Sequence, residues 1–585
     1  DDLGWMDTST YGSTFFQTPN ITKLAERGMK FNRAYSAHAL CSPTRASILT
    51  GQYPARLRIT APRAHYPAEV LEVEMPKFAR PSEKVVPAPT KTRLSTDYHT
   101  LGKSLKDAGY ATGFFGKWHL GRAPYEPKNF GFDTVAGGGP FPGPPRYFSP
   151  YNMGDSLPDG PPGEHIDDRM ASESVKFLEA NRDRPFFLNL WTWGVHSPFQ
   201  AKREDIDIFT PKVDPKNPQR SPVYAAMVKN LDDNVGKIIE TLDRLNLTDN
   251  TLFVFTSDNG GNMFDRLDGT TPTSNAPLRN GKGSIWDGGN RVPLVVAWPG
   301  KIKAKSETQA LVSSIDFYPT LLQITGAKHK AGQVIDGVDM TPVLRGTGQI
   351  QRAAIFNDFL HDNPRTQSPP ASSVIAGDWK LIRFYADNDD KSDRFELYNL
   401  AQDIGETRNL ASQNAEKVRE LNALIGAHLK ETNALVPFAN PRYLPGVSEI
   451  DGWKARGDAS IRQHAEGLEM VSSGDDPAIF VDDVPAATGP LKVEFRMKSS
   501  IAGDGYIFWG TRQDPKFVAA RRQIFKPRRN DGWQNYSIEM PLAQSINNLR
   551  IDPGTATGTA IFEWIRVVDG AGKTVKEWNF GGEGE

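Results

Sequence analysis

Polar side chains that can do acid–base or metal chemistry follow the ends of three predicted strands. They are Lys117 and His119 after residues 110–115, His196 after residues 186–193, and Asp258 and Asn259 after residues 252–256. Functional sites of open α/β sheets form beyond the carboxyl ends of the strands. We therefore expect these side chains to lie close together at one edge of a sheet.

Hard oxygen ligands occur in two pairs that are far apart in the sequence. Asp1 and Asp2 are adjacent carboxylates at the start of the sequence, and Asp258 is followed by the amide of Asn259. Carboxylate and amide oxygens suit Ca2+ or Mg2+. An Asp-Asn-Gly run is also a common turn, and adjacent aspartates are often simply solvated, so both interpretations stay open at this point.

The sequence contains one cysteine, Cys41, which excludes disulfides within this chain and metal sites built from several cysteines. A lone cysteine is either a small buried apolar residue or a reactive group. Its context is the run CSPTR at residues 41–45, continued by LTG at residues 49–51. These neighbouring residues decide between the two interpretations.

The run at residues 41–51 resembles the signature of the type I, formylglycine-dependent sulfatase family, which belongs to the alkaline phosphatase superfamily. GKWHLG at residues 116–121 resembles a second family motif, and ELYNL at residues 396–400 resembles the family's C-terminal subdomain. The resemblance spans roughly residues 1–410. It implies that a separate formylglycine-generating enzyme converts Cys41 to formylglycine. A hydrated aldehyde has two hydroxyls, so one can attack sulfur while proton loss from the other releases sulfate.

The resemblance also implies which residues form the site. The implied catalytic residues are Cys41, Arg45, Lys117, His119, His196 and Lys282, and the implied metal ligands are Asp1, Asp2, Cys41, Asp258 and Asn259. Of the two ions, calcium is favoured over magnesium. The family has an apolar strand before its Asp-Asp pair, whereas this sequence starts at the pair.

The implied roles of the cationic residues and histidines differ. Arg45 steadies the formylglycine, while Lys117 and His119 contact both the formylglycine and the sulfate. His196 protonates the leaving oxygen or binds sulfate, and Lys282 binds sulfate. Several cations around one site fit the transfer of an anionic group, because such transfer is catalysed largely by positioned positive charge.

Alternating strand-like and helix-like segments over the first ~330 residues predict an α/β fold. Apolar residues at helical spacing from Met227 to Leu245 predict a long amphipathic helix. We expect a large mixed sheet sandwiched by helices, as in alkaline phosphatase, with a smaller α+β subdomain and a C-terminal β-sandwich. The predicted domains are a catalytic α/β domain at residues 1–350, the α+β subdomain at residues 351–446 and a β-sandwich accessory module at residues 447–585.

Two long segments rich in Pro, Gly or basic residues, 58–96 and 137–163, either line a substrate rim or are surface loops without a role. The densest basic cluster is Arg521, Arg522, Lys526, Arg528 and Arg529, with Phe525 and Trp533 nearby. Such a strip could hold a sulfated polysaccharide by salt-sensitive contacts and ring stacking. The alternatives are a solvated loop and a docking surface against the catalytic domain.

The net charge of −1 over 585 residues gives no indication of nucleic acid, and no apolar run is long enough to span a bilayer. We predict a periplasmic or secreted enzyme that hydrolyses sulfate esters on a sulfated oligosaccharide or polysaccharide. Two alternatives stay open. One is a phosphonate or phosphate ester hydrolase of the same superfamily, and the other is a non-catalytic glycan-binding protein.

Overall fold

The computed structural model describes residues 1–79, 83–443, 449–485, 487, 489–541 and 545–581. The chain divides into two compact units, one formed by Asp1–Met75 and Pro87–Pro437 and the other by Pro76–Val86 and Phe438–Glu585. Each unit encloses its own hydrophobic core. The predicted boundary after residue 350 lies inside the first unit, and the three-domain division stays a prediction.

The α-helices of the described residues all belong to the first unit. They are α1 (Pro19–Glu26), α2 (Cys41–Thr50), α3 (Pro54–Leu57), α4 (Leu101–Asp107), α5 (Ile166–Ala180), α6 (Arg203–Phe209), α7 (Pro222–Arg244), α8 (Asp287–Asn290), α9 (Phe317–Thr325), α10 (Thr341–Leu344) and α11 (Ala415–Glu431). The long helix predicted from residue 227 is α7. It begins earlier than predicted because Pro222 suits the first turn and the Ser221 hydroxyl accepts a hydrogen bond from the Tyr224 N–H at 3.2 Å.

Strands occur in both units. Those up to residue 399 are β1 (Gly28–Phe31), β2 (Ala34–Tyr35), β3 (Val85–Val86), β4 (Ala111–Gly116), β5 (Thr134–Gly137), β6 (Phe186–Trp191), β7 (Phe253–Thr256), β8 (Leu294–Ala297), β9 (Ser306–Thr308), β10 (Val312–Ser313), β11 (Ile355–Phe359), β12 (Ala371–Ala376), β13 (Trp379–Phe384) and β14 (Arg394–Asn399). The later ones are β15 (Phe438–Ala439), β16 (Trp453–His464), β17 (Gly467–Val481), β18 (Leu491–Ser499), β19 (Gly505–Thr511), β20 (Arg522–Phe525), β21 (Asn530–Met540), β22 (Ile546–Asp552), β23 (Gly558–Val568) and β24 (Thr574–Asn579).

Two sheets form the α/β core of the first unit. In one sheet, β4 pairs in parallel with both β5 and β6. The other has the order β7-β8-β1-β9, in which β8 is antiparallel to β7 and β1, and β9 is parallel to β1. Apolar residues of α5 and α7, such as Phe177 and Val235, pack in the core beside these sheets.

A cavity of about 770 Å³ lies between the edge strands β6 and β7. Apolar side chains from α4, α7 and α9 line it, among them Leu105, Val235 and Leu321. Within the described residues, β6 pairs only with β4, and β7 pairs only with β8. Asp1 also lines the cavity, and its α-amino group donates a hydrogen bond to Gly194 O at 3.2 Å. The cavity therefore lies between the two sheets and next to the first residues of the sequence.

A smaller antiparallel sheet, β11-β12-β13-β14, packs with α11 in the same unit. Lys380 on β13 joins it to residues 279–291, the segment that carries Lys282. The Lys380 ammonium lies 2.8 Å from carboxylate oxygens of both Asp287 and Glu406. Burial opposes the charge on Lys380, but the two carboxylates raise its pKa above the ordinary value. This buried ion cluster fixes one side of the segment that carries Lys282.

The second unit is rich in β-strands, as expected. Its main sheet has the order β20-β19-β22-β17-β23-β18-β21, with β16 beside β17 and β24 beside β23. Residues 479–481 of β17 pair with β22, whereas residues 468–472 pair with β23. Alternate residues of β18 point into the core. The long strand β17 therefore joins the strands on its β22 side and those on its β23 side into one hydrogen-bonded sheet.

The predicted polyanion-binding cluster of the second unit is partly neutralised. Arg521 pairs with Asp514 at 2.9 Å, and Lys526 pairs with Asp504 at 2.6 Å. Phe525 is only 5% exposed, so its ring is not available to stack on a sugar. Polyanion binding by this cluster stays a prediction, with Phe525 removed from it.

Replacing Lys380 by methionine should destabilise the first unit, because Asp287 and Glu406 would stay buried without the cation that they share. The ion pair left to Asp287 would be the longer one with Arg291, at 3.5 Å. We expect the free energy of unfolding to fall by about 3–5 kcal/mol, measured by urea denaturation with tryptophan fluorescence. Lys417→Met is the matched control, since the Lys417–Glu420 pair is solvent-exposed, and it should cost less than about 1 kcal/mol. Equal effects of the two substitutions would contradict a structural role for the buried cluster.

Candidate active site

Strands β4, β6 and β7 deliver polar residues to one place in the first unit. These residues are Lys117 and His119 after β4, His196 after β6, and Asp258 and Asn259 after β7. Cys41 is the first residue of α2, and a helix N-terminus favours negative charge. The site is therefore assembled from three strand ends and one helix end.

Arg45, one turn into α2, links several of these elements. Its Nε donates to Asp258 Oδ2 at 2.8 Å, and its Nη2 lies 2.7 Å from the same oxygen. Nη1 donates to the carbonyl of Lys117 at 2.7 Å, and Nη2 lies 3.5 Å from Asp1 Oδ2. Charge-assisted contacts of this kind are among the stronger ones in proteins. Arg45 thereby ties α2 to the ends of β4 and β7.

Asp2 holds a second group of side chains together. Asn259 Nδ2 donates to Asp2 Oδ1 at 2.8 Å, and Lys282 Nζ donates to Asp2 Oδ2 at 2.7 Å. His196 Nε2 lies 3.7 Å from the same Asp2 oxygen. The backbone N–H of Asp2 donates to Asp258 Oδ1 at 3.2 Å, so this group adjoins the one around Arg45.

Cys41 and His119 complete the arrangement. Cys41 Sγ lies 3.4 Å from His119 Nδ1, and the Ser42 hydroxyl donates to the carbonyl of His119 at 2.7 Å. Cys41 also interacts electrostatically with both Lys117 and Lys282. The structure thus brings every residue predicted for the site into one buried group.

Burial shifts the ionisation of several of these residues. It lowers the pKa of His119 well below the ordinary value, and, together with Lys282, it lowers that of His196 to about 3. Both imidazoles are therefore neutral at pH 7. Burial also lowers the pKa of Lys117 to about 8. Burial opposes the charge on Asp2, but Lys282 and other cations bring its pKa down to about 2.

Buried oxygens at this site have the arrangement of a cation site. Ligand atoms of Asp1, Asp2 and His196 lie within 4.8 Å of one another. Within the described residues, both carboxylate oxygens of Asp1 and the side-chain oxygen of Asn259 are buried without a hydrogen bond, although Lys117 forms an ion pair with Asp1. Carboxylate and amide oxygens fit Ca2+ or Mg2+. His196 is a nitrogen donor that the predicted ligand set did not include.

Two residues beside the site were not predicted individually. His65 Nδ1 lies 3.2 Å from His119 Nε2. A Cβ atom at Gly143 would lie 2.6 Å from His196 Nδ1. They belong to the segments 58–96 and 137–163, so each of these segments contributes a residue next to the site. The only sequence signal for them was the unusual length and composition of the two segments.

Comparison with known proteins places these features in a family. The family model described as sulfatase matches residues 1–327, and the model described as N-sulphoglucosamine sulphohydrolase, C-terminal, matches residues 281–434. A protein named sulfatase from Formosa agariphila is 30% identical over 506 residues, which cover 74% of this chain and 88% of that protein. The N-acetylgalactosamine-6-sulfatase of Canis lupus familiaris is 33% identical over 379 residues, or 61% of this chain.

The chain spans 66% of the length of the canine enzyme, slightly under two thirds. Among solved structures, Ps i-CgsB in complex with k-i-k-neocarrahexaose is similar, with a TM-score of 0.60 and 29% identity over 74% of this chain and 91% of that chain. This likeness confirms the predicted α/β fold class.

A divalent cation should stabilise the protein, because it would pair with the buried oxygens of Asp1, Asp2 and Asn259. After treatment with EDTA, adding Ca2+ to about 100 times its Kd should contribute about 2.7 kcal/mol and raise the Tm. Asp2→Asn should lose most of this gain, whereas Asp183→Asn, a substitution at an exposed position, should keep it. The same titration with Mg2+ compares the two ions. An unchanged Tm, with no bound divalent ion in elemental analysis, would contradict the metal site.

Proposed function

The chain belongs to the sulfatase family, and on that premise we propose that it hydrolyses sulfate esters of a carbohydrate at residue 41. One observation carries the proposal: Cys41 begins α2 in a buried site, lies 3.4 Å from His119 Nδ1 and interacts electrostatically with Lys117 and Lys282. A sulfuryl group is anionic throughout its transfer, so fixed positive charge around the acceptor lowers the barrier. A cysteine that only filled the core would not require cationic and imidazole side chains around it.

Formylglycine at position 41 would supply a hydrated aldehyde with one hydroxyl to attack sulfur and a second to lose its proton. The position suits it, because the side chain is 2% exposed and lies at a helix N-terminus. The neutral ring of His119 can accept a proton at Nδ1, the nitrogen that faces residue 41. Conversion of Cys41 by a formylglycine-generating enzyme is part of this proposal.

The cations and His196 would act on the sulfate itself. Lys117 and Lys282 bind its oxygens, and Arg45 steadies residue 41. His196 lies on the Asp2 side of the site with its Nε2 beside Asp2. In the neutral ring Nδ1 donates its N–H to the Ser197 carbonyl at 2.6 Å, so Nε2 must first take up a proton before it can protonate a leaving oxygen within hydrogen-bond distance.

The divalent cation would be held by Asp1, Asp2, Asp258 and Asn259 together with residue 41. We propose calcium rather than magnesium, since an oxygen-rich site with several carboxylates suits calcium. A bound cation polarises a sulfate oxygen and favours the deprotonated form of a neighbouring hydroxyl.

Relatives support a sulfated carbohydrate as the substrate class. The canine relative is named N-acetylgalactosamine-6-sulfatase, and the similar structure Ps i-CgsB was solved with k-i-k-neocarrahexaose. No helix within the described residues is long and apolar enough to cross a membrane. The periplasmic or secreted location stays a prediction.

Cys41→Ala should abolish turnover of sulfated oligosaccharides without a loss of fold, because residue 41 supplies the nucleophile. Cys41→Ser should accumulate a covalently sulfated chain, since a serine ester has no second hydroxyl to expel sulfate. Turnover of a defined oligosaccharide panel and the intact mass measure both effects. Parallel assays on aryl sulfate, phosphate and phosphonate esters test the alternative hydrolase, and unchanged turnover by Cys41→Ala would overturn the proposal.

Turnover should also fall as the pH rises through about 8, because Lys117 then loses its proton. Its charged form, which dominates below that pH, is the one that binds an anionic sulfate. The kcat/KM profile from neutral to alkaline pH measures this. Lys117→Arg, which stays charged throughout, should remove the alkaline decline. If the decline persists in Lys117→Arg, another group is responsible.

A further inference from the structure

The imidazole of His119 has two ring nitrogens with different neighbours. Nδ1 faces Cys41 Sγ at 3.4 Å, and Nε2 faces His65 Nδ1 at 3.2 Å. The two histidine rings are tilted by 35° with their centroids 5.5 Å apart. His65 therefore contacts one ring nitrogen of His119, while the other ring nitrogen of His119 faces residue 41.

The backbone of His119 is fixed independently of its ring. Its N–H donates to Gly139 O at 3.2 Å, and its carbonyl accepts from the Ser42 hydroxyl at 2.7 Å. Within the described residues, the ring nitrogens have no hydrogen-bond partners other than Cys41 and His65. His65 is thus the contact that can determine two properties of His119: the orientation of its ring and which of its two ring nitrogens carries the proton.

His65 is itself held in place by contacts outside the catalytic group. Its carbonyl accepts a hydrogen bond from Arg122 Nη2 at 3.1 Å. Its ring packs edge-on against Tyr66, with centroids 4.7 Å apart and planes at 82°. These two contacts hold His65 in the place where its Nδ1 faces His119.

A neutral imidazole carries one N–H, and His119 has two neighbours that compete for it. If His65 Nδ1 accepts, the proton lies on His119 Nε2 and the lone pair of Nδ1 faces residue 41. The reverse tautomer would direct an N–H at residue 41, a position that already has the ammonium groups of Lys117 and Lys282 nearby. Within the described residues, His119 Nδ1 is the one hydrogen-bond partner of Cys41 Sγ, and only the first tautomer makes this nitrogen an acceptor.

We propose that His65 is a positioning residue that accepts the Nε2–H of His119 and so turns the Nδ1 lone pair toward residue 41. The mechanistic consequence rests on the proposed function, in which Nδ1 takes a proton from a hydroxyl on residue 41. The hydrogen-bond arrangement itself does not depend on it. In the unconverted chain, the same Nδ1 accepts from the thiol of Cys41.

The unconverted chain allows a test that is independent of sulfatase activity. Cys41 is the sole cysteine, so alkylation by iodoacetamide followed by intact mass reports on it alone. His65→Ala should slow alkylation about tenfold at fixed pH, as loss of an outer hydrogen-bond partner does. His65→Asn should restore most of the rate, because its amide oxygen lies near the position of Nδ1. His65→Gln places its oxygen further out and should behave like His65→Ala.

The converted enzyme supplies the second measurement. His65→Ala should lower kcat about ten- to a hundredfold with little change in KM, and His65→Asn should recover much of the loss. His329→Ala, at an exposed position, is the control and should change neither. Unchanged alkylation in His65→Ala, or a raised KM with kcat retained, would overturn the proposal and leave His65 as a rim contact. If alkylation follows the expected order but no sulfate ester is hydrolysed, the proposed function fails while the role of His65 in positioning His119 stands.

Discussion

The guanidinium of Arg45 contacts Asp258, Asp1 and the carbonyl of Lys117 at once, and the geometry of the site depends on these contacts. They join helix α2 to the ends of β4 and β7, which belong to two different sheets. A buried charge is costly unless its partners are well placed. The same contacts that compensate this cost therefore fix the distance from residue 41 to the oxygen ligands. Removing Arg45 would leave Asp258 and Asp1 buried without this cation, and removing the carboxylates would leave the guanidinium of Arg45 buried without its anions.

The side-chain charges of the site balance before any cation or substrate binds. The carboxylates are Asp1, Asp2 and Asp258, and the cations are Arg45, Lys117 and Lys282. A divalent cation and an anionic sulfate ester would therefore enter as partners whose charges partly offset each other. Burial disfavours any net charge in a low-dielectric site, so binding of the one favours binding of the other. This coupling explains how a fully buried group of ionised residues can still accept an anion.

The residues that carry chemistry could be predicted from sequence because they stand in short contiguous runs that resemble motifs of the sulfatase family. Cys41 and Arg45 are one helical turn apart, and Lys117 and His119 follow β4 directly. His65 could not be predicted, because its approach to His119 depends on the path of a long irregular segment without periodicity. For Phe525 the sequence interpretation was wrong. Its basic neighbours suggested an exposed ring, but the alternation of side chains along the strand places this ring in the core. The division of the α/β core into two sheets likewise depends on pairing between distant strands.

Close backbone approaches at two glycines also determine the geometry of this site. A Cβ at Gly116, where φ is +110°, would lie 2.0 Å from Trp191 O, and the N–H of Lys117 donates to that same oxygen at 2.8 Å. A Cβ at Gly260 would lie 1.8 Å from Gly288 O, where the turn after Asn259 meets the segment that carries Lys282. Only glycine permits such approaches. The glycines flanking the charged residues are therefore a geometric requirement, because larger residues would separate the cations from the oxygens that they balance.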